Sequence, residues 1–228
     1  MLPPQNLKAI FFDLDNVLVY SEVMHFKAWQ LVVEKYGINP ALLNFQSLIG
    51  IADSTQAVIL KEQYNLKDDA HTIWLLKRQI FTQLIPEGFT YPHGRENFLN
   101  TASNYITAVV SSSGKQVVRD ILQAEKIETY FDFIIAHEDC SKHKPDPLPY
   151  LLALEKAQVA PEQALVIEDS PSGIRAALAA NIPVIGVFKD QTQDQLINTV
   201  SYFNTFSEIN DWLSKTRHYD NPKNITVS

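Results

Sequence analysis

Two carboxylates set two residues apart, Asp13 and Asp15, close a short apolar run, Ala9-Ile10-Phe11-Phe12. On an extended chain such residues project to one side, so both acids face a common space while Leu14 points into the core. Like charges this close need a balance: a bound cation, a proton kept by one of the pair, or both. The plainer alternative is turn chemistry, since Asp is a frequent exit residue from a strand. Three more polar groups recur in the same setting: Ser111-Ser112-Ser113-Gly114, Lys144 ahead of Pro145, and Glu168-Asp169. Each has an ordinary reading alone. The serines suit a helix cap, Lys144 a solvated loop, and Glu168-Asp169-Ser170 the start of a helix near Pro171.

Together they match the requirements of phosphoryl transfer, which needs a nucleophile, a hard cation, donors to the equatorial oxygens and an acid for the leaving group. Asp13 is the expected nucleophile. Asp15 is the expected acid, protonating the departing oxygen and later taking a proton from water. Mg²⁺ is the expected cofactor, because it is satisfied by one or two carboxylates plus waters and a phosphate oxygen. Asp13 and Asp169 anchor it, with the Asp15 backbone carbonyl as a third ligand. Ser111 offers a hydroxyl, and the amides of Ser112 and Ser113 lie at a helix N-terminus that favours an anion. Lys144 adds a point charge, and Glu168 orients the metal waters or Lys144.

The elements that must position these residues can be read from periodicity. Residues 9–12 are unbroken apolar, as in a parallel strand covered on both faces. Residues 21–36 follow helical spacing with Phe26, Trp29, Val33 and Tyr36 on one face, and Gly37 is a plausible stop. Helical segments continue over 38–85, broken near Asn39-Pro40, Gly50 and Asn65. Pro86-Glu87-Gly88 and Tyr91-Pro92-His93-Gly94 then punctuate the chain twice. Beyond them, strands at 105–110, 133–136, 164–167 and 184–187 alternate with helices at 95–103, 115–123, 147–156 and 173–180. A helix-like stretch follows at 207–213 and a loose tail from 216.

This alternation predicts an α/β fold with a doubly wound parallel sheet. The domain division it implies is a core of residues 1–20 and 92–228 around a helical insert, 21–91. Ligands of such sheets sit beyond the strand C-termini, where Asp13, the serines and Glu168-Asp169 all fall.

Composition narrows the class. The chain has 228 residues, 46% hydrophobic and 20% charged, enough for a sizeable core. A net charge of -7 argues against nucleic-acid or anionic-membrane partners. One cysteine, Cys140, cannot form an internal disulfide. The start lacks a signal-like pattern and no stretch is long enough to span a bilayer, so a cytoplasmic setting is expected. Asn224-Ile225-Thr226 then reads as a chance glycosylation triplet.

Phe12-Asp13-Leu14-Asp15-Asn16-Val17-Leu18, Val109-Val110-Ser111, Lys144-Pro145 and Glu168-Asp169 resemble, in order, the four motifs of the haloacid dehalogenase superfamily. The stretches 168–177 and 182–186 fit its β-phosphoglucomutase-like phosphatase branch, and the resemblance runs over residues 8–213. It implies a Rossmann-like core with a helical cap inserted after the first motif. It further implies phosphatase activity on a small phosphorylated metabolite such as a sugar phosphate; the oligomeric state stays open, with a monomer favoured. His25 and Trp29 resemble cap positions that bind substrate, and Tyr20 and Lys115 are further candidates for reaching the leaving group. Asn16 stands where the family usually has glycine, and Tyr20 replaces a common aspartate. Residues 49–53 resemble the segment where the mutase carries a lysine and an arginine for a second phosphate. This chain has Ile49 and Asp53 there, which favours hydrolysis over a phosphosugar mutase. A non-catalytic binding or regulatory module is the remaining alternative.

Overall fold

Six parallel strands, in the order β3-β2-β1-β4-β5-β6, form one sheet in the computed structural model, which describes residues 3–44, 47–48, 51–187 and 201–217. The strands are β1 (Ala9–Phe12), β2 (Ile106–Val110), β3 (Phe133–Ile135), β4 (Ala164–Glu168), β5 (Val184–Val187) and β6 (Ser201–Phe203). All neighbours run parallel, as connections through helices require. The chain divides into two compact units: residues 20–90, and the flanking chain up to 19 and from 91 onward.

The sheet unit carries α4 (Arg95–Ala102), α5 (Lys115–Ala124), α6 (Leu148–Ala157), α7 (Pro171–Ala179) and α8 (Phe206–Arg217). Every residue of β1, β4 and β5 is buried, which explains why they read as continuous apolar runs. Phe12 meets the rings of Phe98 and Phe131 edge-on at 6.0 and 5.6 Å, and Phe12 and Phe98, both fully buried, each contribute about 1.5–3 kcal/mol. This sheet is the Rossmann-like α/β core that strand-helix alternation predicts.

Register decides what meets at the sheet's C-terminal edge. Phe12 lies level with Val109 on one side and Ile167 on the other. The residues that follow, Asp13, Ser111 and Glu168, are therefore delivered within a residue or two of the same height. The order also reverses at β1, whose successors lie on opposite sides of it, and this is where doubly wound sheets open a crevice. Asp13 remains tied to the neighbouring strand, its amide donating to Ile167 O at 3.0 Å.

The other unit contains α1 (Glu22–Lys35), α2 (Asp53–Tyr64) and α3 (Ala70–Leu84). Its core includes Trp29, Val33, Leu60, Ile73 and Phe81, while Phe26 and Tyr36 are only half-buried, so the inward face of α1 is centred on Ala28 to Val33. The two ends of the insert meet where Tyr20 donates its amide to Thr90 O at 2.8 Å. Ile49, Gly50, the Asn224 triplet and the tail beyond 217 lie outside the described residues. Among those described, no helix is long and apolar enough to cross a membrane.

Candidate active site

The exits of β1, β2 and β4 converge on a single ammonium group. Lys144 Nζ donates to Asp13 Oδ1 at 2.6 Å, to Glu168 Oε1 at 2.6 Å and to the Val110 carbonyl at 2.8 Å. Each of its three protons thus has an acceptor, and the side chain is nearly buried. A compact ammonium suits this arrangement better than a planar guanidinium. The Lys144-Pro145 peptide bond that follows is cis.

Glu168 is completely buried yet fully engaged. Besides Lys144, it accepts from the Tyr150 hydroxyl at 3.1 Å and from the Ser170 amide and hydroxyl, each at 3.0 Å. Ser170 also caps α7, its hydroxyl accepting the Gly173 amide at 3.1 Å. Ser170 stands where the sequence reading starts a helix, whereas the roles of Tyr150 and Gly173 escape it. Tyr150 is hidden within an apolar helical face, and Gly173 signals only a close approach of unknown partner.

The second motif folds back on itself. Ser111 Oγ accepts the Ser113 amide at 3.0 Å, so the hydroxyl proton of Ser111 is the one left to donate outward. The Ser113 hydroxyl donates to Asp15 Oδ2 at 3.2 Å. Ser112 is exposed on the same turn. Lys115 opens α5, but its ammonium pairs with Asp139 at 2.5 Å and its amide donates to Glu138 at 2.8 Å. That side chain is held by the loop after β3.

Residues 14–19 form a tight turn after Asp13. Leu18 N and Val19 N both reach Leu14 O, at 2.9 and 3.2 Å, and Asn16 N reaches Val19 O at 2.7 Å. Asn16 has φ 59°, the left-handed region that Asn tolerates better than most residues. Buried Arg95 clamps the turn from the core, donating to Leu18 O at 2.9 Å while paired with Glu125 at 3.0 Å.

Negative charge exceeds positive in this cluster. Burial, then the surrounding acids Glu168, Asp169 and Asp15, hold the Asp13 carboxyl well above its usual range although Lys144 opposes them. Asp169 is pushed up to about 7, first by burial and then by Glu168, with Asn16 acting the other way. Burial alone would lower the Lys144 value, but Asp13 and Glu168 outweigh it and keep the ammonium charged. One cation faces more carboxylates than it can neutralise.

Carboxylate oxygens of Asp13, Glu168 and Asp169 lie within 4.8 Å of one another, the one such acidic group of three among the described residues. Glu168 is already saturated by its four donors. Asp13 and Asp169 remain, an all-oxygen pair of the kind hard divalent cations take.

In the helical unit, His25 stacks on Phe81 with ring centroids 4.1 Å apart, and its Nδ1 contacts Lys77 Nζ. Lys77, although buried, pairs with Asp53 at 2.5 Å. Trp29 is buried, and its single N–H donates to Gln56, whose amide in turn donates to Leu48 O and Ile51 O at 2.6 and 2.9 Å. Trp29 is thus a strut holding the chain ahead of α2, with no donor left for a ligand.

The model of the haloacid dehalogenase-like hydrolases matches residues 10–187, which takes in all four polar groups. The chain belongs to this family. A phosphorylated carbohydrates phosphatase of Thermotoga maritima is 32% identical over 181 residues, covering 77% of this chain and 82% of that protein. The fructose-1-phosphate phosphatase YqaB of Escherichia coli is 28% identical over 193 residues, covering 78% and 95%. Among solved structures, a Thermotoga maritima protein provisionally assigned as a β-phosphoglucomutase superposes with a TM-score of 0.79 at 27% identity, covering 92% of this chain and 99% of its own. This haloacid dehalogenase-like hydrolase is accordingly an enzyme of the phosphatase branch.

Proposed function

We propose that the protein is a Mg²⁺-dependent phosphomonoester hydrolase acting on a small phosphorylated metabolite, such as a sugar phosphate, through an aspartyl-phosphate on Asp13. The observation that carries this reading is the fixed Asp13 carboxylate, with Oδ1 held by Lys144 at 2.6 Å on the sheet's C-terminal edge. An oriented, partly neutralised carboxylate is what in-line attack on phosphorus needs. The relatives' activities on phosphorylated carbohydrates and on fructose-1-phosphate support the substrate class.

In the first step an Asp13 oxygen forms a bond to phosphorus while the ester P–O bond breaks, and the departing oxygen takes a proton from Asp15. In the second, water attacks the same phosphorus and gives its proton to Asp15. Inorganic phosphate leaves and the Asp13 carboxylate is restored. Ser111 donates its free hydroxyl proton to a phosphoryl oxygen, as do amides of the 112–113 turn. Lys144 keeps Asp13 oriented and offsets charge, and Glu168 keeps Lys144 in place. Mg²⁺, held by Asp13, Asp169 and the Asp15 carbonyl, would supply further neutralisation of the phosphoryl charge.

Hydrolysis is preferred to mutase chemistry because Asp53 occupies Lys77 within the helical unit. A bisphosphate needs cations for its second phosphate, and this lysine is already paired. We assign choice of leaving group to the helical unit, with His25 as the polar side chain to test there. The deciding experiment is phosphate release from a panel of phosphorylated metabolites with Mg²⁺, alongside D13N. The reading fails if no member of the panel is hydrolysed or if D13N keeps full activity.

A further inference from the structure

We infer that Arg95 is a positioning residue for Asp15, fixing the turn that carries this acid through one hydrogen bond to the Leu18 carbonyl. The inference rests on the reading of Asp15 as proton donor to the leaving group.

Asp15 stands three residues past the end of β1, so no strand ladder holds it. Its backbone is bridged instead to Val19, and Asn16 N reaches Val19 O at 2.7 Å. The far limb of the turn therefore sets the place of the acid. That limb is tied to the rest of the sheet unit at Leu18 O, where Arg95 Nη1 donates at 2.9 Å. Ser113 meanwhile donates to Asp15 Oδ2 at 3.2 Å. One contact aims the carboxyl, and the other holds the backbone that bears it.

Arg95 opens α4, and its buried fork is divided among several partners. Nη1 also meets Glu125 at 3.0 Å, Nη2 donates to Glu96 at 3.0 Å, and the Tyr91 ring lies 3.5 Å from the guanidinium carbon. Glu125 closes α5, the helix whose other end follows the serine turn. The guanidinium thus ties the turn of the acid to the helix that begins at the phosphate-binding serines. Its Nε is buried without an acceptor among the described residues. An unpaired buried donor carries a desolvation cost that an apolar side chain would avoid, and buried ion pairs can often be exchanged for well-packed apolar groups without loss of stability. Packing alone does not call for arginine here. Placement does, since a displacement of about 1 Å at a reacting group can cost roughly 10²-fold in rate.

The test compares two aryl phosphates that differ by one nitro group. Phenolate needs a proton on leaving far more than 4-nitrophenolate does, and kcat/KM reports only the steps up to that departure, so the later work of Asp15 on water does not enter. With Mg²⁺, R95M should lower kcat/KM for phenyl phosphate about tenfold more than for 4-nitrophenyl phosphate. E125Q keeps the donor to Leu18, and should lower the urea midpoint while leaving the ratio of the two substrates within about twofold of wild type. Circular dichroism checks folding. Should R95M not fold, R95M/E125Q leaves no unpaired buried carboxylate and carries the same expectation. An unchanged ratio in the folded Arg95 variant, or an equal shift in E125Q, would overturn the inference, as would collapse of both Arg95 variants. D15N separates the two levels. A ratio shifted in D15N but not in R95M sinks this inference alone, whereas a ratio unmoved in D15N removes Asp15 as the acid and the inference with it.

Discussion

A Cβ built on Gly173 would lie 1.6 Å from Oε1 of Glu168. The first turn of α7 therefore packs directly on the carboxylate that holds Lys144, and the only side chain that fits is none. G173A should displace Glu168 and destabilise the protein by about 1–3 kcal/mol, the usual cost of overpacking. Urea unfolding measures it. A stability equal to wild type would mean that Glu168 has another place to go.

Lys144 satisfies three acceptors at hydrogen-bond distance in a nearly closed site. K144R keeps the charge but brings a planar fork that cannot reproduce those directions. Phosphate release should fall by roughly 10²–10³-fold, comparable to losing one transition-state donor. Activity of K144R within a few-fold of wild type would show that charge alone suffices.

The raised Asp169 value makes a prediction about the metal-free protein. Its carboxyl ionises near 7 in the fold and near 3.8 in the unfolded chain, so between those values the fold holds more protons. The associated stability is complete below about 3.8 and is lost as pH rises towards 7. In chelator, the melting midpoint should thus be lower at pH 8 than at pH 5.5, and D169N should flatten this slope. Mg²⁺ should raise the midpoint more at pH 8, where the carboxylates are ionised and ready to bind it. A midpoint with the opposite pH trend in both proteins would assign the effect elsewhere.

Tyr150 donates to Glu168 at 3.1 Å and lies 5.1 Å, ring centroid to Nζ, under Lys144. Y150F keeps the ring and deletes the hydroxyl. The expected cost is about 1.5–3 kcal/mol, as for a buried hydrogen bond to a charged group, read by chemical denaturation. No loss would mean that Glu168 is satisfied without it.

The strand ends were the legible part of this protein. Apolar runs ending in Asp13, Ser111 and Glu168 announce both the sheet and its polar edge, because parallel strands covered on both faces leave no alternation to obscure them. β6 was illegible for the converse reason: Ser201 to Phe203 are all half-buried, and the strand is defined by pairing with β5, where Tyr202 fills the space a Cβ on Gly186 would need. Trp29 faces a ligand only by family resemblance; its partner Gln56 comes from a different helix, and no local pattern connects them. Lys115 is similar, since its destination, Asp139, belongs to a loop after another strand. Tertiary partners of this kind are invisible to periodicity.

The insert begins and ends at one hydrogen bond, from Tyr20 to Thr90. For the sheet, the whole helical unit is thus topologically a hairpin tip, and closing it over a shorter or longer segment changes the closure entropy only logarithmically. The strands carrying Asp13, Ser111 and Glu168 make their ladder bonds without it. Residues 20–90 can therefore be rewritten as a module while the polar cluster on the sheet edge stays under separate constraint.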